Sequence, residues 1–592
     1  MSAALEYRVE AINPQAHLFR VTLTIPLPAA AGETLSLPAW IPGSYMIREF
    51  AKNIVEIRAQ QGSSGIVLRK LDKHSWRTGK LDAAQPLVVE AVIYAWDLSV
   101  RCAHLDQSHG FFNGTQLFLK VNGREHQPHR VEICRPEGEG FAQWKVATTL
   151  PAAAKRSLDK AGFGLRLTPD YDTLIDHPVE MGEWTSVKFE AAGVPHEMVI
   201  TGRVRFDAKR LAADLKKACE AVIAVFGKKP PFEKYLFLTM AVGDGYGGLE
   251  HRDSTALICA RNDLPAPGAE RREEGYRNFL GLCSHEYFHA WNVKRIKPAA
   301  FAPYRLHEEN YTRLLWVFEG FTSYYDDLSL LRAGLITSID YLGLLAKTTA
   351  AVERNAGRLK QSLAESSFDA WTKYYRQDEN SPNAIVSYYQ KGALVALGLD
   401  LTIRAKTAGK YSLDDVMRHL WLHYGSGLSG VAEDTIAPII QAATGVDVRR
   451  EIARWVEGTE DVPLARLLKP FGIALSRKPG ARISGLGIRT KAEGNALKLA
   501  NVLDGGSAQL AGLSAGDELV ALNGLRVTAT NLDALLARCM PGDVLEVQAF
   551  RRDELLRFSL ELRAPVMEEC ALKIAERVPA GSDALREGWL GR

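Results

Sequence analysis

The 592-residue sequence has no excess of either charge: 73 lysines and arginines stand against 70 aspartates and glutamates, and no run of five or six like charges occurs. An extended nucleic-acid surface needs a clustered basic excess, so no nucleic-acid partner is expected. No stretch of about 18 uninterrupted apolar residues exists, which excludes a membrane-spanning helix and leaves no membrane partner expected. The opening Met1-Ser2-Ala3-Ala4-Leu5-Glu6-Tyr7-Arg8 lacks a basic segment followed by an apolar one and reads as the start of a strand. The seven cysteines are odd in number, scattered and without a CxxC pair. They read as free thiols in a reducing compartment, and the expected location is cytoplasmic. No internal repeat is present.

What is there changes character along the chain. Apolar and polar residues alternate through Phe19 to Ile25, and further strand-like segments run from Leu87 to Tyr94, Gln116 to Val121 and Trp144 to Thr148. The aromatic turn Trp40-Ile41-Pro42-Gly43-Ser44-Tyr45 either faces a cleft or packs as a loop. Beyond about residue 175, Asp207 can cap a helix carrying Leu211, Leu215, Val222 and Phe226 at helical spacing, with Gly227 at its end. Strand-like runs follow at Tyr235 to Val242 and Thr255 to Cys259, and from about 270 to 460 the patterns are mainly helical. Near 470 short strands and short helices take over. The expected organisation is therefore multidomain α+β: an N-terminal antiparallel β domain over 1–175, an α+β domain over 176–470, a β module over 471–565, and a tail or strap over 566–592.

The strongest local signal is His285-Glu286-Tyr287-Phe288-His289. Residues four apart share a helix face one turn along the axis, so both imidazoles can converge on one ion. The glutamate between them then reaches the attacking water as general base. Tyr276, Phe279, Leu280 and Cys283 are spaced for the buried face of that helix, and Pro298 lies beyond its end. Catalytic zinc takes three protein ligands and keeps one position open. Glu319, alone among Trp316, Val317, Phe318 and Phe321, is costly to bury unpaired and is the expected third ligand, giving one Zn2+ per chain. Asp326 lies two helical turns further on. It either holds the second N–H of a zinc-binding histidine or is a plain surface acid.

HExxH followed by a glutamate in a Glu319-Gly320-Phe321-Thr322 setting resembles the gluzincin metallopeptidases, relatives of thermolysin and of the aminopeptidase N group. With the N-terminal β domain and a PDZ-like module, the chain is similar to the glycyl aminopeptidase family in particular. The resemblance implies a thermolysin-like catalytic domain over 176–470, His285, His289 and Glu319 as ligands and Glu286 as base. Gly247-Gly248-Leu249-Glu250-His251 matches the exopeptidase motif, which implies that Glu250, with Gly247 and Gly248, binds a substrate's free α-ammonium. It departs from the aminopeptidase N group in ending with His251 where that group has Asn. Tyr389, in Tyr388-Tyr389-Gln390-Lys391-Gly392, matches the tyrosine that stabilises the oxyanion, with Tyr388 an open alternative.

Residues 471–565 resemble a PDZ domain. Gly485-Leu486-Gly487-Ile488 matches the loop that receives a chain-terminal carboxylate. The module either captures a peptide C-terminus or packs against the catalytic domain. The function expected is a zinc aminopeptidase acting on peptides with a free N-terminus, with a preference for Gly or Ala implied by the resemblance alone. A zinc endopeptidase or quality-control protease is the alternative within the enzyme class, and a non-catalytic PDZ adaptor the alternative outside it.

Overall fold

The computed structural model describes residues 3–269, 273–494 and 496–591, and the chain divides into two compact units. The first comprises residues 1–310 with 333–335 and 420–431; the second comprises 311–332, 336–419 and 432–592.

The first unit opens with a seven-stranded sheet whose central strands, Leu5–Asn13, Leu18–Ile25 and Leu87–Tyr94, pair antiparallel. The alternation read in the sequence sets the register: Phe19, Val21, Leu23 and Ile25 are buried while their neighbours are only half covered. Two further four-stranded sheets complete this β-rich part. Its last strand, Val179–Gly182, pairs with His109–Phe112, so the β-rich part runs past residue 175. One expectation fails here. Gly114–Leu117 is a helical turn closed by Gln116 N–H on the Asn113 carbonyl (3.1 Å) and Phe118 N–H on that of Gly114 (2.8 Å), leaving only Lys120–Val121 as strand. At the start of the turn Gly114 approaches the backbone of Ile175 so closely that a Cβ would lie 2.9 Å from its Cα, so the segment packs here through its backbone and not as a paired strand.

A five-stranded sheet follows in the order Thr185–Ala191, Val194–Thr201, Tyr235–Val242, Ser254–Ala260, Tyr246–Glu250. The parallel strands Val194–Thr201 and Tyr235–Val242 are bridged by the helix Ala208–Phe226, which starts where the Asp207 carboxylate accepts from the N–H groups of Lys209 and Arg210 and ends at Gly227. Tyr246–Glu250 is an edge strand antiparallel to Ser254–Ala260. The helix Glu274–Phe288 buries Tyr276, Phe279, Leu280 and Cys283.

The second unit is helical at first. The helices Gly320–Arg332 and Gln390–Lys406 touch through two glycines: a Cβ on Gly320 would lie 2.6 Å from the Gly392 Cα. Further on, Ile488–Glu493, Ala496–Val502, Glu518–Leu522, Val544–Arg551 and Glu554–Glu561 form a sheet that, with the helix Leu532–Leu536, has its own core of Leu497, Leu499, Leu519, Leu536, Leu545 and Leu560. Residues beyond 566 are built into the unit. Met567–Ile574 pairs with Ile473–Pro479, and the helix Ser582–Leu590 buries Trp589. Trp589 Nε1–H donates to the Tyr324 hydroxyl (3.1 Å), which donates to Asp400 (2.7 Å), and Arg404 joins Asp400 to the Gly588 carbonyl.

All seven cysteines are free thiols. Among the described residues no helix is long and apolar enough to cross a membrane.

Candidate active site

His285, Glu286 and His289 lie at the C-terminal end of the helix Glu274–Phe288, where the His289 N–H still reaches the His285 carbonyl (3.3 Å). The imidazoles are 4.7 Å apart and nearly perpendicular at 84°, with their Nε2 atoms 3.1 Å from each other. The Nδ1 of His289 sits 2.8 Å from the Asn292 carbonyl oxygen, which fixes that nitrogen as the N–H donor and leaves the Nε2 lone pair facing His285. Tetrahedral zinc with ligand nitrogens at about 2.0–2.1 Å places them roughly 3.3 Å apart, so the pair fits such an ion. The carbonyl of Asn292 thus fills, for His289, the position the sequence offered to Asp326. That aspartate is half-buried on the helix Gly320–Arg332 of the second unit.

The edge strand brings the next two groups. Gly248 is laid against Glu286 so tightly that a Cβ there would fall 2.1 Å from Oε1, so a glycine is required for the carboxylate to lie where it does. Gly247, one residue earlier, has open space around its Cα. Glu250, Glu286 and His289 each offer an atom within 4.8 Å of the others. Glu250 is 4% exposed, and its Oε1 is buried with no hydrogen-bond partner. A buried carboxylate oxygen left unpaired is costly and marks a place where a donor or cation belongs.

Behind Glu250 lies a buried charge cluster that sequence reasoning missed. Asp176 accepts from Lys294 Nζ (2.6 Å) and from the Arg252 N–H (3.0 Å), and stands 3.6 Å from His251 Nδ1. Burial alone would raise the Asp176 carboxyl, but Lys294 and Arg252 outweigh it and hold it well below the usual carboxylate range. His251 is fully buried, and burial lowers its pKa against the pull of Asp176. The residue that departs from the aminopeptidase N pattern therefore belongs to this scaffold. Three separated stretches supply the cluster, and no local spacing announces it.

In the second unit, Glu319 sits at the end of the helical turn Leu315–Phe318, 2% exposed, with its N–H on the Leu315 carbonyl (2.7 Å). Its charge is felt by Tyr374 and Tyr388, both also pushed up by burial. Tyr388 is fully buried, whereas Tyr389 is half-buried and its hydroxyl is 3.4 Å from that of Tyr375. At the C-terminal module, Gly485 and Leu486 close a short helical turn, and Gly487 adopts φ +68° with its Cα against Gly506. Ile488 begins one of the two edge strands of the sheet.

A second cluster with metal-ligating atoms, His104, Asp106 and His109, occupies one hairpin of the first unit. Its rings are stacked at 4.8 Å and 24°, and Asp106 Oδ1 is engaged by the Ser108 N–H, Ser108 hydroxyl and His109 N–H of the turn. Near-parallel rings cannot aim in-plane lone pairs at one point, so this arrangement holds the hairpin together.

Comparison with known proteins identifies the family. The family model of the peptidase M61 N-terminal domain matches residues 6–183, and that of the M61 glycyl aminopeptidase matches 278–395. The crystal structure of an aminopeptidase N family protein from Idiomarina loihiensis is 40% identical, with a TM-score of 0.94 over 99% of this chain and 100% of that one. The chain belongs to the M61 glycyl aminopeptidase family. Membership makes it a peptidase. An M1 zinc metallopeptidase from Deinococcus radiodurans is 14% identical over 78% of this chain and 95% of its own, with a TM-score of 0.47. Aminopeptidase A from Legionella pneumophila, in complex with aspartic acid, is 12% identical over 95% and 57%, with a TM-score of 0.48. Among curated proteins none matches the chain.

Proposed function

We propose that this M61 family member is a zinc-dependent aminopeptidase that removes small N-terminal residues, Gly or Ala, from peptides. The observation that carries the reading is the Glu250 carboxylate, buried, with an unpaired oxygen, within 4.8 Å of both Glu286 and His289. An α-ammonium entering a cleft loses water, and a buried carboxylate offsets that loss through charge-assisted hydrogen bonds. Held a fixed distance from the base, it selects the bond one residue from the chain end.

One zinc ion per chain is assigned to His285, His289 and Glu319. The perpendicular imidazoles with facing Nε2 atoms and the burial of Glu319 among apolar side chains support this set. When bound, zinc polarises the scissile carbonyl and acidifies the attacking water. Glu286 takes the proton of that water and delivers it to the leaving amine. Tyr389 donates its hydroxyl proton in a hydrogen bond to the oxygen on which charge develops, and its greater accessibility favours it over Tyr388. Asp326 is assigned to orienting a zinc-binding histidine. The catalytic domain, thermolysin-like, is assigned to 176–470, and cytoplasm is the proposed location.

The module over 471–565 is read as a PDZ domain in which the edge strand Ile488–Glu493 would pair with a peptide C-terminus received by Gly485 to Ile488. Its side chains are also tied into the helical half of the same unit. Arg489 donates to Asn355 (2.6 Å), Asn383 donates to the Val502 carbonyl (2.9 Å), and Lys360 pairs with Asp504. These bonds favour a packing role.

The test compares a glycyl or alanyl peptide with its N-acetylated copy. The aminopeptidase reading expects cleavage of the free amine alone. Equal cleavage of both would make the protein an endopeptidase.

A further inference from the structure

Residues Ile41 to Ser44 form a tight turn, with the Ser44 N–H on the Ile41 carbonyl (3.0 Å), Pro42 at its second position and Gly43 at its third with φ +98°. That is the pattern of a type II turn, in which the third position favours glycine. The turn reaches Glu250. A Cβ on Gly43 would lie 2.5 Å from Oε2, 2.6 Å from Oε1 and 2.7 Å from Cδ, so the glycine lies directly over the carboxylate.

The turn is also fixed in place. Ala39 donates to the Leu306 carbonyl (2.7 Å), Arg48 N–H to the Ala39 carbonyl (2.8 Å), and Trp40 Nε1–H to the Arg305 carbonyl (3.0 Å). The Tyr45 ring stacks on Phe301 at 5.7 Å. Trp40, Ile41 and Tyr45 are buried, so the turn is a wall held on the Phe301–Leu306 segment, not a loose loop.

We propose that this turn is the end stop of the active site. Gly43 closes one side of the Glu250 carboxylate, and the amine is taken to enter from the side of Glu286 and His289, which offer atoms within 4.8 Å of it. No path then remains for a substrate chain to continue past its amine. Gly43 is accordingly a positioning residue: it touches no reacting atom, but any side chain there displaces the carboxylate that recognises the amine. The inference rests on the assignment of Glu250 to the substrate ammonium and adds the element that makes that contact terminal.

The experiment uses the full-length zinc-loaded protein with Gly43→Asn, because Asn tolerates positive φ better than other residues, and Gly43→Ala as the smaller but more strained change. Melting temperature and zinc content are measured beside kcat/KM for a free-amine peptide and its N-acetylated copy. The expected result, for whichever variant melts as the parent does, is a fall of about 10- to 100-fold in the free-amine to acetylated ratio, with zinc still at one per chain. An unchanged ratio in a folded Gly43→Asn variant would overturn the proposal. If Glu250→Ala lowers the ratio while Gly43→Asn does not, the end stop alone fails. If Glu250→Ala leaves the ratio unchanged as well, the amine assignment beneath it fails.

Discussion

Two pairs of histidines in the first unit have the same composition and opposite capabilities. His285 and His289 are one helical turn apart with rings at 84°, and the backbone carbonyl of Asn292 turns one lone pair toward the other. His104 and His109 face each other across a hairpin with rings at 24°, and the aspartate between them gives Oδ1 to the turn and Oδ2 to His104 Nε2 (3.2 Å). What distinguishes a binding site from a brace is the direction in which lone pairs are held. Ligating residues in proximity are common to both.

The sharpest way to break this contrast is to delete one ring from each pair. His289→Ala should weaken zinc binding by at least about 100-fold and abolish peptide cleavage, and Glu319→Ala should weaken zinc binding in the same direction. His104→Ala should keep one zinc per chain and lose only stability. Zinc analysis after dialysis against a weak chelator reads both, and loss of the metal from His104→Ala would erase the distinction.

Next in size is the base. Glu286→Gln should retain zinc and lose about 100-fold or more in turnover. Near-normal turnover with zinc bound would reassign the proton transfer.

A selective effect follows. Glu250→Ala should lower kcat/KM for free-amine peptides by about 10- to 100-fold and leave the poor cleavage of acetylated copies little changed. Equal losses on both would assign Glu250 to the fold.

The smallest effect belongs to the neighbourhood of the brace. Burial pushes the Glu180 carboxyl up to about 7, against the opposing charge of His109 and a hydrogen bond from Thr201 (2.9 Å). Its folded pKa lies above its ordinary value, so the folded protein holds the extra proton. The contribution of Glu180 to stability is then greatest below about pH 4.5 and declines as pH rises through about 7. Glu180→Gln keeps an acceptor for Thr201 and should flatten that decline. Its melting temperature should exceed the parent's at pH 8 and match it at pH 4.5. Parallel melting curves across that range would show that Glu180 is ionised throughout.

Much of the site was legible because its signals are local. The HExxH spacing, the buried positions of the helix Glu274–Phe288 and the Asp207 cap follow from 3.6-residue periodicity and from the chemistry of a helix start. Parts that depend on long-range approach were not. Gly43 lies over Glu250 from more than two hundred residues away, and the residue types of its Trp40-to-Tyr45 segment favour a packed loop over a cleft wall. It is both. The Asp176, Lys294 and His251 cluster is assembled from three stretches of chain. Gln116 and Leu117 read as strand by residue type, but they lie in a helical turn whose first residue, Gly114, packs against the backbone of Ile175.

The bond from Trp589 to Tyr324 spans 265 positions, and it ends in the buried Asp400–Arg404 pair of the helical half. During synthesis that half emerges with its polar centre incomplete and waits while the whole C-terminal β module is made. At roughly 5–20 residues per second the stretch from Arg404 to Trp589 takes about 9–37 seconds, long compared with helix formation and long enough for a chaperone to intervene. The order of assembly thus runs against the order of translation: the helical half is made before the β module, yet the segment that closes its polar centre arrives after both.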